Sequence, residues 1–260
     1  MDVICHEISH SWWGNGIGCA SWDSFWLNEG WTTYTERLAI KAIHGDATRD
    51  FEYIVGQKAL NDSLKKMPPR YQRLHIPYKQ GEDPDDGFSS IPYEKGAQLL
   101  LYLERTVGGL GLFSPYIKAY LARFTGRSIS TADWFQHLNE YWSAFPEQKE
   151  ALDKVDWDSW LNGEGLELPV KLVFDTSLAD ASYALAKRWN EARGSKLDFS
   201  SEDIASFSSK QVSLFLETLE LQHAFSETEI RKMGSVYTAS LDSGNPEIRA
   251  SLSSLFVVLC

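Results

Sequence analysis

Trp12, Trp13, Trp22, Trp26 and Trp31 crowd the first 31 residues of a 260-residue chain, half of its ten tryptophans. A segment so rich in large aromatic rings has too much apolar surface to stay a solvated tail. The opening stretch is therefore predicted to belong to a packed domain. Within it Val3, Ile4, Ile8 and Trp12 recur at helical spacing and Gly14-Asn15 ends the pattern, so residues 2–13 read as a helix.

The same periodicity runs on. WLNEGWTTYTERLAIKAIH, 26–44, is a helix with Gly45 as its stop, and a further helix over about 48–65 ends before Met67-Pro68-Pro69. Residues 68–90 hold Pro, Gly, Asp and Ser and read as a long ordered loop, a kind that is usually functional in a compact domain. PYEKGAQLLLYLERTVGG opens the next helix, closed by Gly108-Gly109. Helices over about 113–124 and 131–145 follow, the second opened by the capping run Ser130-Thr131-Ala132-Asp133. WDSWLNGEGLELPVKL, 157–172, breaks the rhythm with Gly and Pro, and a domain boundary is placed there.

Beyond it aromatics thin out. Short amphipathic helices are predicted at about 177–193, 201–206, 209–221, 227–238 and 246–258, with SSED at 200–203 and SETE at 226–229 as capping starts. Paired short helices suggest a helical-repeat stack. No strand-like alternation is convincing, so the fold class is mainly α, with one domain over 1–165 and a second over 171–260.

Charge and composition remove several classes of partner. A net charge of −11 repels phosphate backbones and anionic membrane surfaces, which argues against nucleic acid. The most apolar runs, LLLYL at 99–103 and LFVVLC at the C-terminus, fall far short of the roughly 20 residues that span a bilayer. Cys5, Cys19 and Cys260 are too few and too scattered for a disulfide framework. With no secretory signal at the start, a cytoplasmic location is expected.

The chemistry begins at CHEISHSWWGN, residues 5–15. Positions i and i+4 share a helix face, so His6 and His10 can present ring nitrogens to one metal ion. Glu7, between them, projects beside that ion, where it can take a proton from the attacking water and return it to a leaving amine. A catalytic zinc site of this kind needs a third protein ligand. Glu29, in WLNEG near the start of the next aromatic helix, can be brought back to the ion by a short connection. Glu36 falls on the same face as Glu29, and reads equally well as a hydrogen-bond partner of a ligand or as an exposed glutamate. Cys5 points about 100° away from His6 on the helix and reads as core packing.

The pattern HEISHSWWGN followed by WLNEG resembles the gluzincin aminopeptidases, and more narrowly their leukotriene A4 hydrolase/aminopeptidase branch. Asp83-Pro84-Asp85, SSIPYEKGAQLLLYLE at 89–104 and VDWDSWLNGEGLELP at 155–169 look like that branch in order and spacing. The resemblance implies a thermolysin-like helical catalytic lobe followed by a HEAT- or armadillo-like domain, one Zn2+ per chain, and short peptides as substrates. It assigns His6, His10 and Glu29 as zinc ligands and Glu7 as general base. Tyr93 becomes the donor to the developing oxyanion, a role that suits a phenol that is neutral at pH 7. Asp85 matches the acid that directs water onto a lipid epoxide, which makes a fatty-acid epoxide a second candidate substrate. Phe88 stands where the epoxide-opening members have a second tyrosine.

The family's N-terminal domain, its amine-anchoring Gly-Met-Glu-Asn segment and its Arg/Lys carboxylate anchor have no counterpart in these 260 residues. The chain is therefore expected to be an incomplete copy, a weak peptidase on its own and a monomer when full length. The non-enzymatic alternative is a helical interaction module with a vestigial metal site.

Overall fold

The computed structural model describes residues 2–194, 198–222, 225–237 and 248. They form two compact units, Met1–Phe174 and Asp175–Cys260. The division falls a little beyond the Gly- and Pro-containing segment, because Leu168, Val170, Leu172 and Phe174 pack onto the core of the first unit.

Helix α1, Asp2–Ser9, opens the first unit. Its helical bonding continues past the last regular turn, with His10 N donating to His6 O at 3.1 Å and Trp13 N to Ser9 O at 3.2 Å. Val3, Ile4 and Ile8, which mark this helix in the sequence, are 72%, 65% and 56% exposed. The face that meets the rest of the unit instead carries Ser9 and, just beyond the helix, Trp13, both buried.

Helix α2, Trp26–His44, is the unit's central rod, with Trp26, Leu27, Trp31, Tyr34 and Ile40 buried along it. Helix α3, Asp46–Lys66, folds back beside it, and α4, Ile91–Thr106, crosses it. The crossing is close because two glycines meet there: a Cβ on Gly30 would lie 2.9 Å from the Gly96 Cα. Small residues at a helix crossing let the backbones approach in this way.

Helices α5, Leu110–Phe124, α6, Thr131–Trp142, α7, Pro146–Asp153, and α8, Trp157–Leu161, complete the unit. The rings of Trp13, Trp31, Phe113, Tyr116 and Tyr120 stack or tilt against one another between α2 and α5. This cluster is where the aromatic-rich opening spends its apolar surface, and such ring pairs add stabilisation beyond area alone.

One sequence expectation needs correcting. A parallel pair of three-residue strands is present, β1, Ile17–Cys19, against β2, Arg127–Ile129, in the register Ile17–Arg127. Three residues are too few for alternation to be legible. Its role is local: with Gly126 N donating to Gly16 O at 2.7 Å, it ties the turn after α1 to the connection between α5 and α6. Helices α7 and α8 were also not separable by periodicity, because they have only eight and five residues.

The second unit contains α9, Asp180–Glu191, a 3-10 turn at Ser201–Ile204, α10, Ser209–Glu220, and α11, Glu227–Val236. Capping boxes at Ser200/Asp203, Ser208/Gln211 and Ser226/Glu229 start the last three. Leu185, Trp189, Ile204, Phe215, Leu216, Ile230 and Met233 form its core. The predicted helix over 246–258 lies outside the described residues except for Ile248, which is buried. The chain is mainly α. Among the described residues, no helix is long and apolar enough to cross a membrane.

Candidate metal centre

Among the described residues, the donors that converge closely enough to hold a metal ion are His6, His10 and Glu29, their ligand atoms within 4.8 Å of one another. Helical geometry brings the two imidazoles together, ring centroids 4.8 Å apart and nearly perpendicular. Glu29, in the first turn of α2, closes the triangle: its Oε2 is 3.4 Å from Nε2 of both His6 and His10. That oxygen is buried and accepts no hydrogen bond. A buried carboxylate oxygen left in this state is costly unless a cation satisfies it.

The opposite nitrogen of each histidine is already committed. His6 Nδ1 donates to Glu36 Oε2 at 3.0 Å. His10 Nδ1 donates to the Trp13 carbonyl at 2.8 Å, and the Thr32 hydroxyl, 3.1 Å from that nitrogen, donates to the same carbonyl at 3.2 Å. A carboxylate and a carbonyl can only accept, so each Nδ1 carries the hydrogen and each Nε2 is aimed at Glu29. Metal-binding histidines are held in this way, with the second ring nitrogen donating to an acceptor behind it. The donor set, two imidazoles and one carboxylate, is one that suits zinc.

Burial works against a charge on His6, but the Glu29 and Glu36 carboxylates outweigh it and raise the ring to about 9. Two carboxylates facing one half-buried imidazole thus make the spot favourable for positive charge. The residues present fit a zinc ion.

The other expected site residues divide into two groups. Tyr93, in the first turn of α4, belongs with the centre: its ring stacks on His6 at 5.9 Å. Burial, then the Glu29 and Glu7 carboxylates, push its hydroxyl up to about 12, so it stays a neutral donor through physiological pH. Glu7 is exposed on α1 and close enough to Tyr93 to act on it electrostatically. Asp85 stands apart. It is exposed on the 3-10 turn Pro84–Gly87, where its backbone amide donates to the Asp83 carboxylate at 3.0 Å.

Asp85 does line a cavity of about 210 Å³ with Trp22, Phe25, Leu74, Tyr78 and Phe88. Phe25 and Phe88 reach edge-on to the Tyr93 ring, at 6.3 and 6.4 Å, which sets this aromatic cavity beside the candidate centre. Cys5 is half-buried and outside the ligand set.

Sequence reading left Glu36 open and missed Thr32. A hydroxyl that braces a histidine through a loop carbonyl has no spacing rule. Its signal could only come from knowing that the chain turns back at Trp13.

A family model described as "Peptidase family M1 domain" matches residues 1–160. Leucine aminopeptidase 2 of Kluyveromyces lactis is 44% identical over 228 residues, covering 84% of this chain and 34% of the relative. Leucine aminopeptidase 2 of Yarrowia lipolytica is 40% identical over 272 residues, covering 99% of this chain and 41% of the relative. A structure of yeast LTA4 hydrolase in complex with bestatin superposes with a TM-score of 0.90 at 38% identity, covering 99% of this chain and 44% of that one. The chain thus spans between a third and a half of the length of these proteins.

Proposed function

Because the chain belongs to peptidase family M1, a family of zinc metallopeptidases, we propose that His6, His10 and Glu29 hold one zinc ion, and that these residues are the core of an aminopeptidase acting on short peptides. The observation that carries this reading is the buried Glu29 Oε2, which accepts no hydrogen bond and faces both histidine Nε2 atoms at 3.4 Å. A zinc ion held by these three residues would supply Lewis acidity and would make water a better nucleophile at neutral pH.

The remaining work falls to protein groups. Glu7, beside the ligand pair, takes the proton of the attacking water and later delivers it to the leaving amine. Tyr93 donates its hydroxyl hydrogen to the carbonyl oxygen as negative charge builds there. Its raised pKa keeps that hydrogen in place across the working range. Glu36 and the Trp13 carbonyl hold the imidazoles in orientation. Trp22, Phe25 and Phe88 make the adjoining cavity a receptacle for a large apolar side chain of the peptide.

The test is hydrolysis of leucyl and alanyl amides by the zinc-loaded chain and by its Glu7→Gln variant. Loss of turnover with zinc retained supports the assignment, and full turnover in Glu7→Gln removes it. A second reading, opening of a fatty-acid epoxide, draws on Asp85 in the wall of the same apolar cavity. A lipid epoxide offered to the same preparation separates the two, since Asp85→Asn would lower only epoxide opening.

A further inference from the structure

Tyr93 is bounded by the rings of His6, Phe25 and Phe88, and ring contacts of this kind are non-directional compared with a charge-assisted hydrogen bond. Its neighbour Glu94 is fixed far more firmly. Both carboxylate oxygens of Glu94 accept from Nη2 of Arg37 on α2, at 2.8 and 2.9 Å. The two side chains are 12% and 5% exposed, so the pair is largely shielded from water.

Arg37 is itself held, with its guanidinium 4.2 Å over the Tyr53 ring of α3. Gly56, also on α3, provides the space for the carboxylate, since a Cβ there would collide with it. Arg37 directly follows Glu36, the partner of His6. Adjacent residues of one helix therefore reach the two sides of the centre. Glu36 holds a candidate ligand, and Arg37 holds the turn that carries Tyr93.

We propose that Glu94, anchored by Arg37, is a positioning residue that fixes where the Tyr93 hydroxyl stands relative to the His6/His10/Glu29 centre. This rests on the reading of Tyr93 as donor to the oxyanion, and it adds the device that registers α4 against α2. The device has a reason in the reaction: a donor serves only within a narrow range of the developing charge, and about 1 Å of misplacement can cost on the order of a hundredfold in rate.

The experiment uses the whole 260-residue chain labelled with 3-fluorotyrosine. The Tyr93 fluorine resonance is assigned by its loss in Tyr93→Phe and followed in Glu94→Gln, in Arg37→Met and in the exposed control Glu150→Gln. Glu94→Gln keeps the side chain's shape but removes the charge and one of the two oxygens that hold Arg37, and the other tyrosine resonances report whether the fold is retained. The Tyr93 resonance moves or broadens in both pair variants and stays put in the control. In the active protein Glu94→Gln lowers kcat by about tenfold to a hundredfold with KM little changed. In a Tyr93→Phe background the same substitution adds almost nothing.

An unmoved Tyr93 resonance in both pair variants overturns the proposal, as does an equal loss of kcat with and without the Tyr93 hydroxyl. Failure of the wild-type chain to hydrolyse any amide would count against the peptidase reading. The resonance would still decide the role of Glu94.

Discussion

Glu36 lies two turns beyond Glu29 on α2, and its Oε2 accepts from His6 Nδ1 at 3.0 Å. One helix therefore supplies both a candidate ligand and the brace of another ligand, and the ion's environment is set by how α2 sits against α1. Removing the brace leaves the ligand atoms in place but frees the ring. Glu36→Ala should raise the zinc dissociation constant about 10–100-fold, measured by competition with a chromogenic chelator. An unchanged constant would reduce Glu36 to a bystander.

Gly30 and Gly96 fix the α2–α4 crossing that places Glu29 near Tyr93. An alanine at Gly30 would bring its Cβ to 2.9 Å from the Gly96 Cα, a backbone atom that cannot rotate away. Gly30→Ala should therefore destabilise the chain by about 1–3 kcal/mol, the usual range for overpacking. Urea unfolding checks it, with an unchanged midpoint as the contrary result.

Arg49 and Glu104 form a buried pair between α3 and α4, at 2.6 and 3.0 Å, with the Tyr34 hydroxyl donating to the same carboxylate. Neither side chain is more than 7% exposed. Removing one partner strands the other charge in the interior. Arg49→Met should cost about 3–5 kcal/mol in the same unfolding measurement, whereas a loss under 1 kcal/mol would mean that water reaches Glu104.

Lys95 gives the stability curve a signed pH dependence. Burial pushes its amine down to about 8, and it donates to the carbonyls of Gln72 and Gly163 at 3.1 and 2.9 Å. Between that value and the ordinary lysine range near 10.4, the unfolded chain holds a proton that the folded chain releases, so stability rises with pH there. The stability difference between wild type and Lys95→Met should thus shift in favour of wild type from about pH 8 to 10.4. A flat difference would show that the two carbonyls keep the ammonium charged.

How far the sequence could be read follows from which relations are local. His6, Glu7 and His10 sit within one and a half helical turns, so spacing alone places them on one side of α1. Glu29 needed only a short connection between two helices. Helix starts at Ser130, Ser200 and Ser226 were legible because a capping box is complete within four residues.

The illegible parts depend on tertiary crossings. Arg37 and Glu94 look like ordinary helix charges until α4 is laid across α2, and Thr32 acquires its partner only when the chain doubles back at Trp13. The apolar face of α1 misleads in the opposite sense: Val3, Ile4 and Ile8 mark a helix correctly, yet point away from this chain's core.

Zinc stoichiometry tests the central claim most directly. The purified chain, loaded with zinc and freed of excess by gel filtration, should retain one zinc per chain by elemental analysis. His10→Ala and Glu29→Ala should retain none, and Glu7→Gln should retain the full amount. A wild-type chain that emerges folded but without zinc, or a Glu29→Ala chain that holds as much as wild type, would contradict the metal centre from which the functional reading follows.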